Sequence, residues 1–290
     1  MTQTSDAATM TATGPMLVFG GPYSNLEATV AVLAEARRRA IPPDHVLCTG
    51  DLAAYGADPQ PVIDLVRDAG IRVVMGNCEE SLAADAADCG CGFAEGSACA
   101  ALSTQWYPFA NNRVDAASRA WMGALPRRIA VAIGSRRLLA IHGGVSEISR
   151  FVFADSDDAL AEELAAAGCD GVIAGHCGLP FTRELAGRLW HNAGVVGMPA
   201  NDGTPRGWYS VLTPRDDGIA IAHLALDYDH AAAARKMRAH GLPEGYAAAL
   251  ETGLWPSCDV LTPPELARRG RPLQPHAVQW RAPSRAPAWS

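Results

Sequence analysis

Four short apolar runs each end on a glycine and a side chain able to ligate metal: Val46-Leu47-Cys48-Thr49-Gly50-Asp51, Val73-Val74-Met75-Gly76-Asn77, Leu139-Ala140-Ile141-His142-Gly143 and Val172-Ile173-Ala174-Gly175-His176. Runs of this length, separated by helical stretches, read as buried strands whose ends point the same way. Open α/β sheets place ligand sites just beyond the carboxyl ends of such strands. Asp51, Asn77, His142 and His176 are therefore expected to converge.

With 290 residues and 49% apolar content, the chain can bury a sizeable core as one α/β domain plus a C-terminal extension. The net charge of −7 and the scattered arginines argue against a nucleic-acid-binding patch. No stretch approaches the roughly 18 apolar residues of a membrane span, and the first 14 residues lack the pattern of a secretory signal. These features predict a cytoplasmic protein. Eight cysteines are too few for a disulfide scaffold, so thiols or ligands are expected, with redox pairing left open.

Residues 1–14, rich in Thr, Ala and Ser, are expected to form a disordered leader, followed by the main domain over 15–226 and an extension over 227–290. Met16 to Phe19 reads as a strand, and Ser24-Asn25-Leu26-Glu27 as a capping box opening a helix to about Arg39. Further helices are expected at about Pro59 to Asp68, Ser81 to Ala87 and Asp158 to Ala167. A hairpin is expected across Arg128 to Ile141. Thr182 to His191 and Trp208 to Leu226 read as antiparallel hairpins closing a second sheet. Beyond Asp227 come an Ala-rich helix to about His240, another near Tyr246 to Glu251, and a Pro/Arg/Trp-rich tail that wraps the domain or is disordered.

The ordered set Gly50-Asp51, Gly76-Asn77-Cys78-Glu79, His142-Gly143, Gly175-His176 and Asn192-Ala193-Gly194-Val195-Val196-Gly197-Met198-Pro199 resembles the calcineurin-like metallophosphoesterase superfamily, in particular its small bacterial phosphodiesterase and diadenosine-tetraphosphatase-like branch. The resemblance covers about Met16 to Leu226. It implies an α/β sandwich of two mixed β-sheets flanked by helices, with the C-terminal helical extension added to it.

Two motifs depart from the family pattern. Where the family has Asp-x-His, this chain has Gly21-Pro22-Tyr23, and where it has Gly-His-x-His, the last position is Gly178. The resemblance implies two metals sharing Asp51; the three missing ligands all belong to the first. The second keeps Asn77, His142 and His176. This split implies either a one-metal arrangement or a rebuilt first site, and the oxygen and imidazole donors suit Mn, Fe or Zn.

A lone ion can still polarise a phosphoryl oxygen if nearby donors replace the second one. Arg206 is the candidate guanidinium, although a solvated loop arginine is an equal reading. Tyr23 is a candidate iron ligand or hydrogen-bond donor, against plain packing at a helix start. Cys78 stands where relatives carry a residue assisting the leaving group. Cys89, Cys91 and Cys99 lie in a glycine-rich loop and read as inert or paired thiols more than as ligands. The aromatic segments Trp106 to Phe109 and Gly253 to Ser257 read as loops that line a cleft, make a homodimer contact or simply pack.

The leading expectation is a divergent metal-dependent phosphoesterase acting on a small phosphate ester or nucleotide. The runner-up is an inactive scaffold, as in a retromer subunit of the same fold. Oxidative chemistry at a rebuilt iron site is the third.

Overall fold

The computed structural model describes residues 8–281, in which two six-stranded sheets stack face to face between layers of helix. In chain order the elements are β1 (Ala8–Ala12), β2 (Met16–Phe19), α1 (Leu26–Arg38), β3 (Val46–Cys48), α2 (Pro59–Asp68), β4 (Arg72–Val73) and α3 (Asn77–Ala83). Then follow α4 (Ala98–Asn111), α5 (Ala116–Gly123), β5 (Ile129–Ile133), β6 (Arg136–Ala140), α6 (Asp157–Ala167) and β7 (Gly171–Ala174). The chain continues through β8 (Pro180–Leu185), β9 (Arg188–Ala193), β10 (Gly207–Arg215), β11 (Gly218–Leu226), α7 (His230–Ala239), α8 (Glu244–Thr252), α9 (Pro263–Leu266) and β12 (His276–Arg281).

One sheet has the order β1-β5-β6-β7-β9-β8 and the other β12-β11-β10-β2-β3-β4. Each contains a parallel stack, β6-β7-β9 in the first and β2-β3-β4 in the second. The four motif strands are therefore divided between two sheets rather than gathered in one. Met16, Val18 and Leu47 from the second sheet meet Val131, Ile133, Leu138 and Ile173 from the first in the sandwich core. On the outer face of the second sheet, Leu17, Phe19 and Val46 pack on Val32 and Leu33 of α1 and on Val62, Ile63 and Val66 of α2. Val172 and Trp190 on the other sheet pack on Leu160 and Leu164 of α6. Burial on both faces explains why β2, β3 and β7 are continuous apolar runs. Each large side chain buried this way contributes roughly 1.5–3 kcal/mol.

Helix α1 starts one residue later than the capping-box pattern suggests. Asn25 is the cap: its Oδ1 accepts from Ala28 N at 3.1 Å, and its Nδ2 donates to Gly197 O at 3.1 Å. The cap thus also ties α1 to the loop after β9.

Several expectations are corrected. Residues 8–12 of the expected leader form β1, parallel to β5, with Met10 and Ala12 buried; residues 1–7 lie outside the described residues. The burial that orders this strand comes from a partner more than a hundred residues away, which local composition does not reveal. The β8–β9 hairpin joins the first sheet, beside β7, and the β10–β11 hairpin joins the second. Trp106 to Phe109 lies inside α4, capped by Ser97, whose Oγ accepts from Ala100 N at 3.1 Å; Pro108 within that helix removes a single backbone donor without ending it.

The boundary expected at residue 226 does not separate the packing. α7 and α8 contribute Ala234, Met237, Ala247 and Leu250 to the main core, and β12 pairs antiparallel with β11, burying Trp280. Residues 282–290 of the expected tail lie outside the described residues. Among the described residues, no helix is long and apolar enough to cross a membrane.

Candidate metal centre

The four motif side chains meet in the crevice between the sheets. Asp51 follows β3 and Asn77 opens α3 just after β4, while His142 follows β6 and His176 follows β7. Each sheet supplies two of them. His142 Nδ1 donates to Thr49 O at 2.6 Å, so in the neutral ring the proton sits on Nδ1 and Nε2 is the nitrogen able to ligate. That nitrogen lies 3.0 Å from Asn77 Oδ1, 3.1 Å from His176 Nδ1 and 3.3 Å from Asp51 Oδ2. Asn77 Nδ2 donates to Cys89 O at 2.9 Å, so its carbonyl oxygen is the end turned inward.

Four electron-pair donors thus crowd one point, and a single proton on His142 cannot satisfy three acceptors at once. A cation can, and a set of two oxygens and two imidazole nitrogens fits Mn, Fe or Zn. Asp51, His142 and His176 each offer one ligand atom within 4.8 Å of the others, and among the described residues no second such group of His, Cys, Asp and Glu comes together.

The electrostatics favour the ligating forms of Asp51 and His176, whereas His142 must give up a proton to ligate. Burial raises the Asp51 carboxyl, but His142 outweighs it and the pKa falls to about 2. Burial, reinforced by His142, lowers His176 to about 3, so its ring is neutral. Burial also pulls His142 down, yet the adjacent Asp51 carboxylate leaves it raised overall. Both Asp51 (φ +61°) and His176 (φ +55°) adopt left-handed backbone, which costs an L-residue roughly 1–2 kcal/mol and marks positions held by their surroundings.

What holds Asp51 is Glu79, a residue visible in the Gly76-Asn77-Cys78-Glu79 motif but given no role from the sequence. Its Oε2 accepts from Asp51 N at 2.7 Å and from Gly76 N at 2.8 Å, and its Oε1 accepts from Leu52 N at 2.7 Å. Burial and the nearby Asp51 carboxylate raise Glu79 to about 7. Glycine at positions 50 and 76 allows these loops to touch: a Cβ on Gly50 would lie 2.7 Å from Gly76 N, and one on Gly76 would lie 2.5 Å from Asp51 Oδ1.

The other expected site residues divide. Tyr23 lines the cavity beside Asp51 and His176, and burial with the Asp51 charge raises its phenol well above 10, so it is a hydroxyl and not a phenolate. Arg206 does not reach the site. It donates to Leu273 O at 2.9 Å and to Thr204 Oγ1 at 3.2 Å, and pairs with Asp202 at 3.7 Å. Cys78 is buried behind Asp51, donates its backbone N–H to Asp51 Oδ1 at 3.2 Å, and does not line the cavity; burial raises its thiol well above 9. Cys89 and Cys91 form a disulfide and Cys99 is a free thiol.

Aromatic rings pack against the positions of the missing ligands. A Cβ on Gly21 would lie 2.5 Å from Tyr23 Cζ, and one on Gly178 would lie 3.4 Å from Trp255 Cζ2. At these positions Gly21 and Gly178 offer no carboxylate or imidazole, and the Tyr23 hydroxyl is the oxygen present.

A sequence model described as calcineurin-like phosphoesterase matches residues 5–231. The chain belongs to the calcineurin-like phosphoesterase family. It is 28% identical over 240 residues to the uncharacterized protein MJ0912 of Methanocaldococcus jannaschii, covering 77% of this chain and 91% of that protein. Its fold matches a metallophosphoesterase from Sphaerobacter thermophilus with a TM-score of 0.66 and 22% identity, over 84% of this chain and 100% of the other. Hypothetical protein PH1004 from Pyrococcus horikoshii OT3 gives a TM-score of 0.68 at 13% identity, over 85% and 100% of the two chains.

Proposed function

We propose that the protein is a hydrolase of small phosphoesters that uses one transition-metal cation held by Asp51, Asn77, His142 and His176. The observation that carries this reading is the convergence of Asp51 Oδ2, Asn77 Oδ1 and His176 Nδ1 on Nε2 of His142. When bound, the ion supplies positive charge to a phosphoryl oxygen and acidity to a coordinated water.

The chain's own residues do the rest. Asp51 is the single anionic ligand, so a dication would keep a net positive charge toward the substrate. Thr49 O fixes the tautomer of His142. Glu79 fixes the Asp51 backbone through its bond to Asp51 N. These outer partners resist collapse of the ligand set, and removing partners of this kind costs roughly 10–100-fold in affinity or activity. The protonated Tyr23 hydroxyl is the cavity's candidate donor to a phosphate oxygen. The substrate is a small phosphorylated molecule met in the cytoplasm, with no nucleic-acid surface involved.

The test is metal analysis of the purified protein together with hydrolysis of bis(4-nitrophenyl) phosphate in Mn, Fe and Zn. About one ion per chain, with turnover lost in His142→Ala, is the expected result. Absence of both metal and turnover in the wild type rejects the reading in favour of a binding module.

A further inference from the structure

The cavity beside the four ligands is walled by rings from four separate stretches of chain. Tyr23 and Tyr55 come from the first βα units, Phe93 from the loop after α3, Phe151 from the segment after His142, and Tyr246 and Trp255 from the C-terminal part. Tyr55 links two of the others, with ring centroids 4.8 Å from Tyr23 and 4.6 Å from Tyr246. Phe151 lies against the ligand His176 at 4.3 Å, so the aromatic wall adjoins the metal centre.

Among the described residues no Arg or Lys lines this cavity, and its acidic contribution is Asp51. A polyphosphate chain, or a second phosphate, would find no guanidinium or ammonium to accept its charge. The space next to a single cation is instead suited to a group that gains by leaving water.

Building on the single-cation reading, we propose that this cavity binds an uncharged aromatic or flat apolar group joined to the substrate's phosphorus centre, which makes the substrate an ester bearing an apolar ring and not a polyphosphate. Trp255, which covers Gly178, and Tyr246 make the C-terminal segment part of the specificity wall. The loss of the first ion's ligands and the aromatic lining are then one change: the first ion's volume has become a subsite for an organic group.

The test compares phenylphosphonate with methylphosphonate binding to the Mn-loaded full chain by calorimetry. The two probes share the phosphonate and differ in the ring. Phenylphosphonate is expected to bind at least about tenfold tighter, from the apolar area its ring buries. Trp255→Ala and Phe93→Ala, each shown folded by its thermal melt, are expected to bring that ratio toward unity while methylphosphonate affinity stays the same. Equal affinities in the wild type, a ratio that survives both substitutions, or metal binding without phosphonate binding overturns the subsite. If no metal binds, the single-cation reading has failed, and the ring-for-methyl ratio on the metal-free chain still decides the subsite.

Discussion

The indole of Trp255 covers Gly178: a Cβ at that glycine would come within 3.4 Å of Trp255 Cζ2 and 3.5 Å of Cη2. Trp255 Nε1 donates to Pro199 O at 2.6 Å, which holds the ring in this place. Trp255, from the C-terminal segment, thus packs against the position at which the resemblance places the family's final histidine, which links that position to the appended segment.

Gly178→His should destabilise the protein by more than about 2 kcal/mol, from left-handed backbone at φ +76° and from collision with the indole. Adding Trp255→Ala should recover about 1 kcal/mol relative to additivity, because contacting residues couple. Urea unfolding of the four proteins measures the coupling. Strict additivity would show that the indole does not pack against that position.

Metal binding should release a proton from His142. Without an ion, burial lowers this ring but Asp51 more than compensates, so the pKa lies above 6.5. The protonated ring then stabilises the fold below the unfolded pKa, and that contribution is lost as pH rises through the raised value. The ion replaces the proton, so Mn affinity should fall about tenfold per pH unit below the His142 pKa. Calorimetry in buffers of different ionisation enthalpy counts the proton; a constant affinity between about pH 8 and about pH 6 would contradict the prediction.

Asn77 has two jobs that substitution can separate. Asn77→Asp keeps an oxygen toward the centre but replaces the amide donor to Cys89 O with an acceptor. It should retain metal while exposing the Cys89–Cys91 loop to proteolysis, whereas Asn77→Ala should lose both. Metal content and limited proteolysis read these outcomes, and equal metal loss in the two variants would show that the oxygen is not a ligand.

Trp280→Ala should cost about 3–5 kcal/mol, the range for emptying a large buried aromatic site. Trp280 is 1% exposed, packs in the sandwich core and receives the Arg136 guanidinium 4.5 Å from its ring centroid. A change under about 1 kcal/mol in thermal or urea unfolding would mean that β12 is not part of the cooperative unit.

Asp51 and His176 were legible because each follows a strand buried on both faces, while Asn77 and His142, after the partly exposed β4 and β6, were marked by an apolar run and an adjacent glycine. Glu79 was present in a motif, but only its bonds to Asp51 N, Gly76 N and Leu52 N reveal what it does. Arg206 misled because its chemistry suits phosphate, while its partners include Leu273 O, far along the chain. β1 and β12 are edge strands ordered by remote partners, Ile129 to Ile133 and Gly218 to His223, and carry weak local signals. The aromatic cavity was hidden for the same reason, since Phe93 and Tyr246 have no sequence cue to their meeting.

Because Asp51 and Asn77 hang from one sheet and His142 and His176 from the other, an ion at their meeting point rivets the two halves of the sandwich. A small slide of one sheet past its neighbour would part the donor pairs. Chelation should therefore loosen the seam between the layers as well as silence the chemistry, lowering the melting temperature as free metal falls toward its Kd.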